Sequence, residues 1–174
     1  MASGKATLQR KAVKPPARPV KAGDGRGQER DALSLLKADH RQVAKMLEDY
    51  EDQDDDDGKE AVAEKICAAL TVHAQIEEEI FYPAARAALD EEDAALVDEA
   101  DVEHGTVKDL ISQIEASSAQ EHHYDARVKV LGEYVKHHVK EEETELFPKL
   151  ESADLDLAAL GKRLAARKEE LEAE

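Results

Sequence analysis

Four histidines and two glutamates of this chain fall at matching places in two halves, and that pattern is suited to holding metal ions. The segment His73–Pro83 returns as His138–Pro148: adding 65 carries His73 to His138, Glu77 to Glu142, Phe81 to Leu146, Tyr82 to Phe147 and Pro83 to Pro148. Upstream, adding 64 carries Leu33 to Val97, His40 to His104, Val43 to Val107, Met46 to Leu110 and Leu47 to Ile111. Residues four apart on a helix share a face. His73 with Glu77, and His138 with Glu142, can therefore both point into a helical core. His40 and His104 occupy positions where an apolar residue belongs. Burying four imidazoles and two carboxylates without partners costs several kcal/mol per charged group, roughly, and bound cations would remove that cost. Two halves around a pseudo-two-fold axis would give each of two ions a pair of imidazoles, with both glutamates bridging. Imidazole and carboxylate together suit Fe, Mn, Zn or Co, and ligand softness alone does not choose among them.

The elements that must position these residues are helical. Ala, Glu, Leu, Lys and Asp dominate a chain of 174 residues with 8 Gly, 5 Pro and 3 % aromatics, so Leu, Ile, Val and Ala must fill the core. Five helical stretches are expected. The first runs from about Asp31, its N-cap, to Tyr50, with Leu33, Leu36, His40, Val43, Leu47 and Tyr50 inward. The second spans Lys59 to Tyr82, with Val62, Ile66, Leu70 or Ala69, His73, Ile76 or Glu77, and Ile80 inward; Pro83 kinks or ends it. The third covers Glu91 to Ser117, with Val97, Ala100, His104, Val107, Ile111 and Ile114 inward. The fourth covers His122 to Leu150, with Tyr124, Val128, Leu131, Val135 or Tyr134, His138 and Glu142 inward. A last segment, Leu155 to Leu171, carries Leu157, Leu160, Leu164 and Leu171 to the outside of the bundle. Short connections favour antiparallel neighbours, so the expected fold is an all-α, up-down-up-down four-helix bundle.

Composition divides the chain into three parts. Residues 1–30 hold Pro15-Pro16, Pro19 and three glycines within Gly23–Gly27, show no apolar periodicity, and read as a disordered basic tail. Residues 31–150 form the bundle and 151–174 the extra C-terminal helix. Of the 24 basic and 41 acidic residues, eight and two lie in 1–30, leaving 16 basic against 39 acidic in the remainder. Such an acidic body repels nucleic acid and anionic membranes and attracts cations; weak contact with an anionic partner is left to the basic tail. The run Asp52–Asp57 with Gly58 reads as a solvated loop, since it lacks the alternating oxygen ligands and closing Glu of a calcium loop. Cys67 is alone, no apolar run approaches a membrane span, and the basic N-terminus lacks the apolar stretch of a secretory signal. The simplest setting is cytoplasmic.

The remaining polar residues near the pattern take lesser places. His122 and His123 open the fourth helix and are exposed. His137 could compete with His138 as a ligand, but its counterpart is Val72, so the repeat favours His138. Asp39 and Glu103 precede ligand histidines without sharing their face, and read as surface charge. Glu78 and Glu143 could orient ligands, although solvated positions suit them better. Tyr134 lies one turn before His138 on the same face and could hydrogen-bond a ligand, although a boundary position with its hydroxyl toward water suits it better. Cys67 reads as a small packed residue.

These residues resemble the hemerythrin-like, or HHE cation-binding, domain. The resemblance covers about residues 31–150 and rests on Asp39-His40, HxxxEE…YP at His73, Glu103-His104 and HxxxEE…FP at His138. It implies a non-heme centre of two Fe ions in a four-helix bundle, ligated by His40, His73, Glu77, His104, His138 and Glu142. Oxygen-carrying members have a fifth histidine one turn after the third-helix ligand, where this chain has Lys108. That departure tells against reversible oxygen carriage and leaves room for oxygen, peroxide or nitric oxide to bind, and for redox chemistry. The expected function is a di-iron protein that binds or reacts with such a small ligand as sensor, scavenger or carrier. The alternatives are an iron-handling or metal-buffering module without turnover, and a zinc or purely structural bundle.

Overall fold

The computed structural model describes Met1 and residues 31–173; the expected basic tail lies outside these residues but for Met1. Among the described residues every regular element is helical. Helix α1 spans Ala32–Glu51, α2 Asp56–Ile76, α3 Tyr82–Ala88, α4 Glu91–Glu115, α5 Tyr124–Glu141, α6 Phe147–Ser152 and α7 Leu157–Glu172. Two π-helical turns, Glu77–Phe81 and Glu142–Leu146, join α2 to α3 and α5 to α6 without a break. In space α1 packs on α2 and α5, and α4 on α2 and α5, which closes the antiparallel four-helix ring.

Aspartates start four of the helices. Asp31, Asp55, Asp90 and Asp156 each accept a hydrogen bond from a backbone N–H three residues on, at 2.8–2.9 Å, satisfying donors that the first turn leaves orphaned. The acidic run is therefore not wholly loop. Asp55 caps α2 while Asp56 and Asp57 form its first turn, where carboxylates complement the helix dipole.

The second helix neither ends nor breaks at Pro83. A proline ring removes one backbone bond and crowds the carbonyl four residues back. Here the turn before the proline is widened instead: the Tyr82 N–H reaches the Glu77 carbonyl, and the Phe147 N–H reaches that of Glu142, each five residues back. The extra residue rotates the next turn of helix, so Glu77, Phe81 and Tyr82 are all buried, as are Glu142, Leu146 and Phe147.

The apolar interior is divided. One cluster gathers Leu33, Leu36, Phe81, Val97, Phe147 and Leu150; the other gathers Val43, Ile66, Leu70, Ile111, Val128 and Leu131. The histidines lie between these two layers along each helix. Cys67 belongs to the second cluster, is 1 % exposed, and has its thiol pushed up to about 11, first by burial. It should react with a thiol reagent at pH 8 only after unfolding; prompt labelling of the native protein would contradict this packing.

Helix α7 packs on α1, α2 and the first π turn. Leu160 and Leu164 enter the first apolar cluster, and Arg167 binds Glu79 at 2.8 Å. This contact explains why α1 also buries Ala32, Leu35 and Asp39, beyond the stripe expected of it. Leu164→Ala should cost roughly 2–5 kcal/mol in urea unfolding, as buried leucines do. A loss below about 1 kcal/mol would mean that α7 does not stay docked. Among the described residues no helix is long and apolar enough to cross a membrane.

Candidate metal centre

All six residues singled out by the repeat meet at one place, each 6 % exposed or less. His40 comes from α1, His73 from α2, Glu77 from the first π turn, His104 from α4, His138 from α5 and Glu142 from the second π turn. The imidazoles pair: the rings of His40 and His73 are 4.9 Å apart, and those of His104 and His138 are 4.7 Å apart. The glutamates link the pairs. Glu77 Oε2 stands 3.2 Å from His73 Nε2 and 3.4 Å from His104 Nε2. Glu142 Oε2 stands 3.3 Å from His40 Nε2 and 3.7 Å from His138 Nε2.

His104 Nε2 and His138 Nε2 lie 3.2 Å apart, within hydrogen-bond distance, but the remaining atoms converge without satisfying one another. His40 Nε2, His73 Nε2, both Glu77 oxygens and Glu142 Oε2 are buried with no hydrogen-bond partner. Buried polar atoms are nearly always paired, so a cluster of orphans calls for something that pairs them. Two groups have the geometry to hold a cation: His40, His73, Glu77 and Glu142, and Glu77, His104 and His138. Glu77 belongs to both. The donor set fits a metal ion of the kind that takes nitrogen and oxygen ligands.

The outer nitrogens are held by carboxylates, which corrects the reading of four of them. An ionised carboxylate only accepts hydrogen bonds, so each facing Nδ1 is the donor. His40 Nδ1 donates to Glu143 at 2.8 Å, His104 Nδ1 to Glu78 at 3.0 Å and His138 Nδ1 to Glu103 at 2.9 Å. Asp39 faces His73 Nδ1 at a longer 3.7 Å and is held by Lys168 of α7 at 2.6 Å. Asp39 and Glu103 are thus not surface charge, nor are Glu78 and Glu143 simply solvated. Each carboxylate serves a histidine on the neighbouring helix, a contact that no single-helix pattern displays. A signal was nonetheless present, since Asp39 and Glu103 repeat at the offset of the histidines, as Glu78 and Glu143 repeat at that of the glutamates. Fixing Nδ1 this way turns Nε2 toward the centre and makes it a stronger ligand.

Two further residues change places. Tyr134 is 43 % exposed and Val135 takes the inward position. The tyrosine at the centre is Tyr82, turned inward by the π turn; its hydroxyl donates to Glu142 Oε1 at 3.0 Å and lies 3.2 Å from His104 Nε2. Its counterpart Phe147 stacks on His40 without a hydroxyl, so the two halves differ chemically. Lys108 points away from the centre to Glu78, at 2.5 Å.

Burial and crowding set the charges. Burial, and then the charge of Glu142, hold the Glu77 carboxyl above the usual carboxylate range. Burial works the same way on Glu142, but the imidazoles of His40, His138 and His73 outweigh it and bring that carboxyl low. Burial disfavours a charged His40, yet Glu142 and Glu77 beside it lift its pKa to about 9. Burial raises the Tyr82 phenol further, and the two glutamates add to it. The same imidazoles and carboxylates bind protons and cations, so cation uptake competes with protonation.

Comparisons with known proteins bear on the fold and the family. A DNA nickase of Nostoc sp. is 31 % identical to the chain over 121 residues, 69 % of this chain and 33 % of that protein. The chain thus spans about a third of the length of this curated relative. The crystal structure of a hemerythrin HHE cation-binding domain-containing protein from Mycobacterium kansasii superposes with a TM-score of 0.69 at 24 % identity, over 82 % of this chain and 88 % of that one. That likeness shows the fold. The family model described as the hemerythrin HHE cation-binding domain matches residues 31–150, the whole four-helix ring with all six converging residues. With that match, the chain belongs to the hemerythrin HHE cation-binding family.

Proposed function

We propose that the chain holds two iron ions and binds or reacts with a small oxidant, oxygen, peroxide or nitric oxide, as sensor, scavenger or carrier. The observation that carries this reading is the set of inward, unpartnered Nε2 and carboxylate atoms of His40, His73, Glu77 and Glu142. In it His40 and His73 hold one ion, His104 and His138 the other, and Glu77 and Glu142 bridge. A di-iron pair supplies one- and two-electron chemistry toward a small oxidant.

The surroundings support a small ligand. A cavity of about 20 Å³ adjoins the four histidines and is walled by Val43, Leu70, Val107, Val135 and Val139. That is room for about one water-sized molecule, and the apolar wall disfavours water. Burial keeps the Tyr82 proton in place, so the residue presents a neutral hydroxyl donor there. Its place against Glu142 orients that carboxylate, and the hydroxyl can offer a proton to a ligand beside His104.

The 39 acidic residues against 16 basic in 31–174 give a second reading, metal buffering without turnover, because such a surface gathers cations. The same charge opposes a DNA-directed role like that named for the Nostoc relative. In this reading the chain works in the cytoplasm, where its one thiol stays reduced.

The test is the iron content per chain after anaerobic loading with ferrous iron, followed by the visible spectrum on admitting air. Two irons and a new near-ultraviolet or visible band are expected. No stoichiometric iron, or firmer retention of zinc, would move the protein to the buffering or structural reading.

A further inference from the structure

A second group of ligating side chains lies outside the six. His137 Nε2 stands 3.1 Å from Glu141 Oε1 and 3.5 Å from Glu103 Oε1. Ligand atoms about 2.1 Å from one ion are roughly 3.0–3.4 Å apart in tetrahedral or octahedral arrays. The two contacts of His137 are already near that spacing, and all three ligand atoms lie within 4.8 Å of one another. The His137 side chain is 59 % exposed, that of Glu141 31 % and that of Glu103 16 %, so a cation can arrive from solvent and meet partly shielded carboxylates.

Glu103 ties this group to the buried centre. Its Oε1 faces His137 while its Oε2 accepts from His138 Nδ1 at 2.9 Å. A small crevice of about 10 Å³ is lined by Glu103 and Glu141 of this group and by His138 and Glu142 of the centre, with Leu96, Ala100 and Leu146 beside them. The exposed carboxylate of Glu99 lies along it.

The repeat shows that the group is particular to one half. The counterparts of Glu103, His137 and Glu141 are Asp39, Val72 and Ile76. On that side two ligating positions are apolar, and Asp39 is neutralised by Lys168 of α7. The half that α7 leaves uncovered is the half that keeps an imidazole and two carboxylates in reach of one another.

We propose that Glu103, His137 and Glu141 bind a divalent cation at the surface and pass it along this crevice to the buried centre. One imidazole with two carboxylates suits borderline ions such as Fe²⁺, Mn²⁺ or Zn²⁺. The loading role rests on the two-ion centre proposed above; the surface site itself does not.

The full-length metal-free protein tests both. Competition with a chromogenic chelator counts bound Zn²⁺, and timed trapping of Fe²⁺ gives the rate at which the centre fills. Three ions per chain are expected for the natural sequence, one for each candidate group, falling to two in His137→Ala and in Glu141→Gln. Filling of the centre should slow roughly tenfold in His137→Ala, with its final iron content unchanged. His122→Ala, an exposed histidine elsewhere on the surface, should alter neither. Two ions in every variant would mean that the trio is an ion pair only, and an unchanged filling rate in His137→Ala would remove the loading role; either result overturns the proposal. A count of one falling to zero would instead sink the buried centre and leave the surface site standing.

Discussion

Glu77→Ala should abolish the proposed two-ion site. Glu77 is the residue shared by both ligating groups, with Oε2 between His73 and His104 at 3.2 and 3.4 Å. Without it the second ion keeps His104, His138 and the more distant Glu142, whose Oε2 is 3.7 Å from His138 Nε2, and the first keeps His40, His73 and Glu142. A single distant carboxylate in place of two gives a poorly held second ion, so iron retained after gel filtration should fall from two per chain to one at most. Two irons bound with unchanged affinity would show the bridging assignment to be wrong. Glu77→Gln separates charge from shape. It keeps the side-chain volume and removes a buried carboxyl whose two oxygens have no hydrogen-bond partner. The metal-free Gln variant should therefore be no less stable than the natural sequence, while the Ala variant also carries a cavity.

Residues that recur along one helix were legible in the sequence, and contacts between helices were not. All six inward positions expected on the third helix, from Val97 to Ile114, are buried in α4. Periodicity reports burial well there because α4 is an uninterrupted helix of 25 residues with a single apolar face. The repeat brought His40, His73, His104 and His138 to one point for the same reason. On α2 and α5 the pattern lost phase where the π turns begin. That shift depends on how Pro83 and Pro148 are accommodated by the backbone, which apolar spacing does not express, and Tyr82 was missed as a site residue because of it. The four carboxylates facing Nδ1 are not legible along any one helix, because each meets a histidine across the groove. His137 was set against His138 for one ligand position; the structure gives them different places, one at the surface and one at the centre.

Removing the ions should lower the thermal midpoint by roughly 15–30 °C. An ion present at about 1,000 times its dissociation constant stabilises the folded chain by about 4 kcal/mol, and two such ions by about twice that. For a chain of this size each kcal/mol moves the midpoint by about 2–4 °C. The metal-free centre has a physical reason to be weak, since five inward nitrogen and oxygen atoms of His40, His73, Glu77 and Glu142 lack partners. Those atoms are what the ions would satisfy. The apolar clusters on either side do not depend on them, so far-ultraviolet circular dichroism should remain helical after chelation even as the midpoint falls. The difference between loaded and stripped protein should narrow as pH is lowered, because protons compete with the ions for imidazoles and carboxylates. A midpoint that moves by less than about 3 °C on complete removal would mean that the ions contribute only about 1 kcal/mol. The convergence of the six residues would then need another explanation, because orphaned donors and acceptors at this depth would be tolerated without a ligand to pair them.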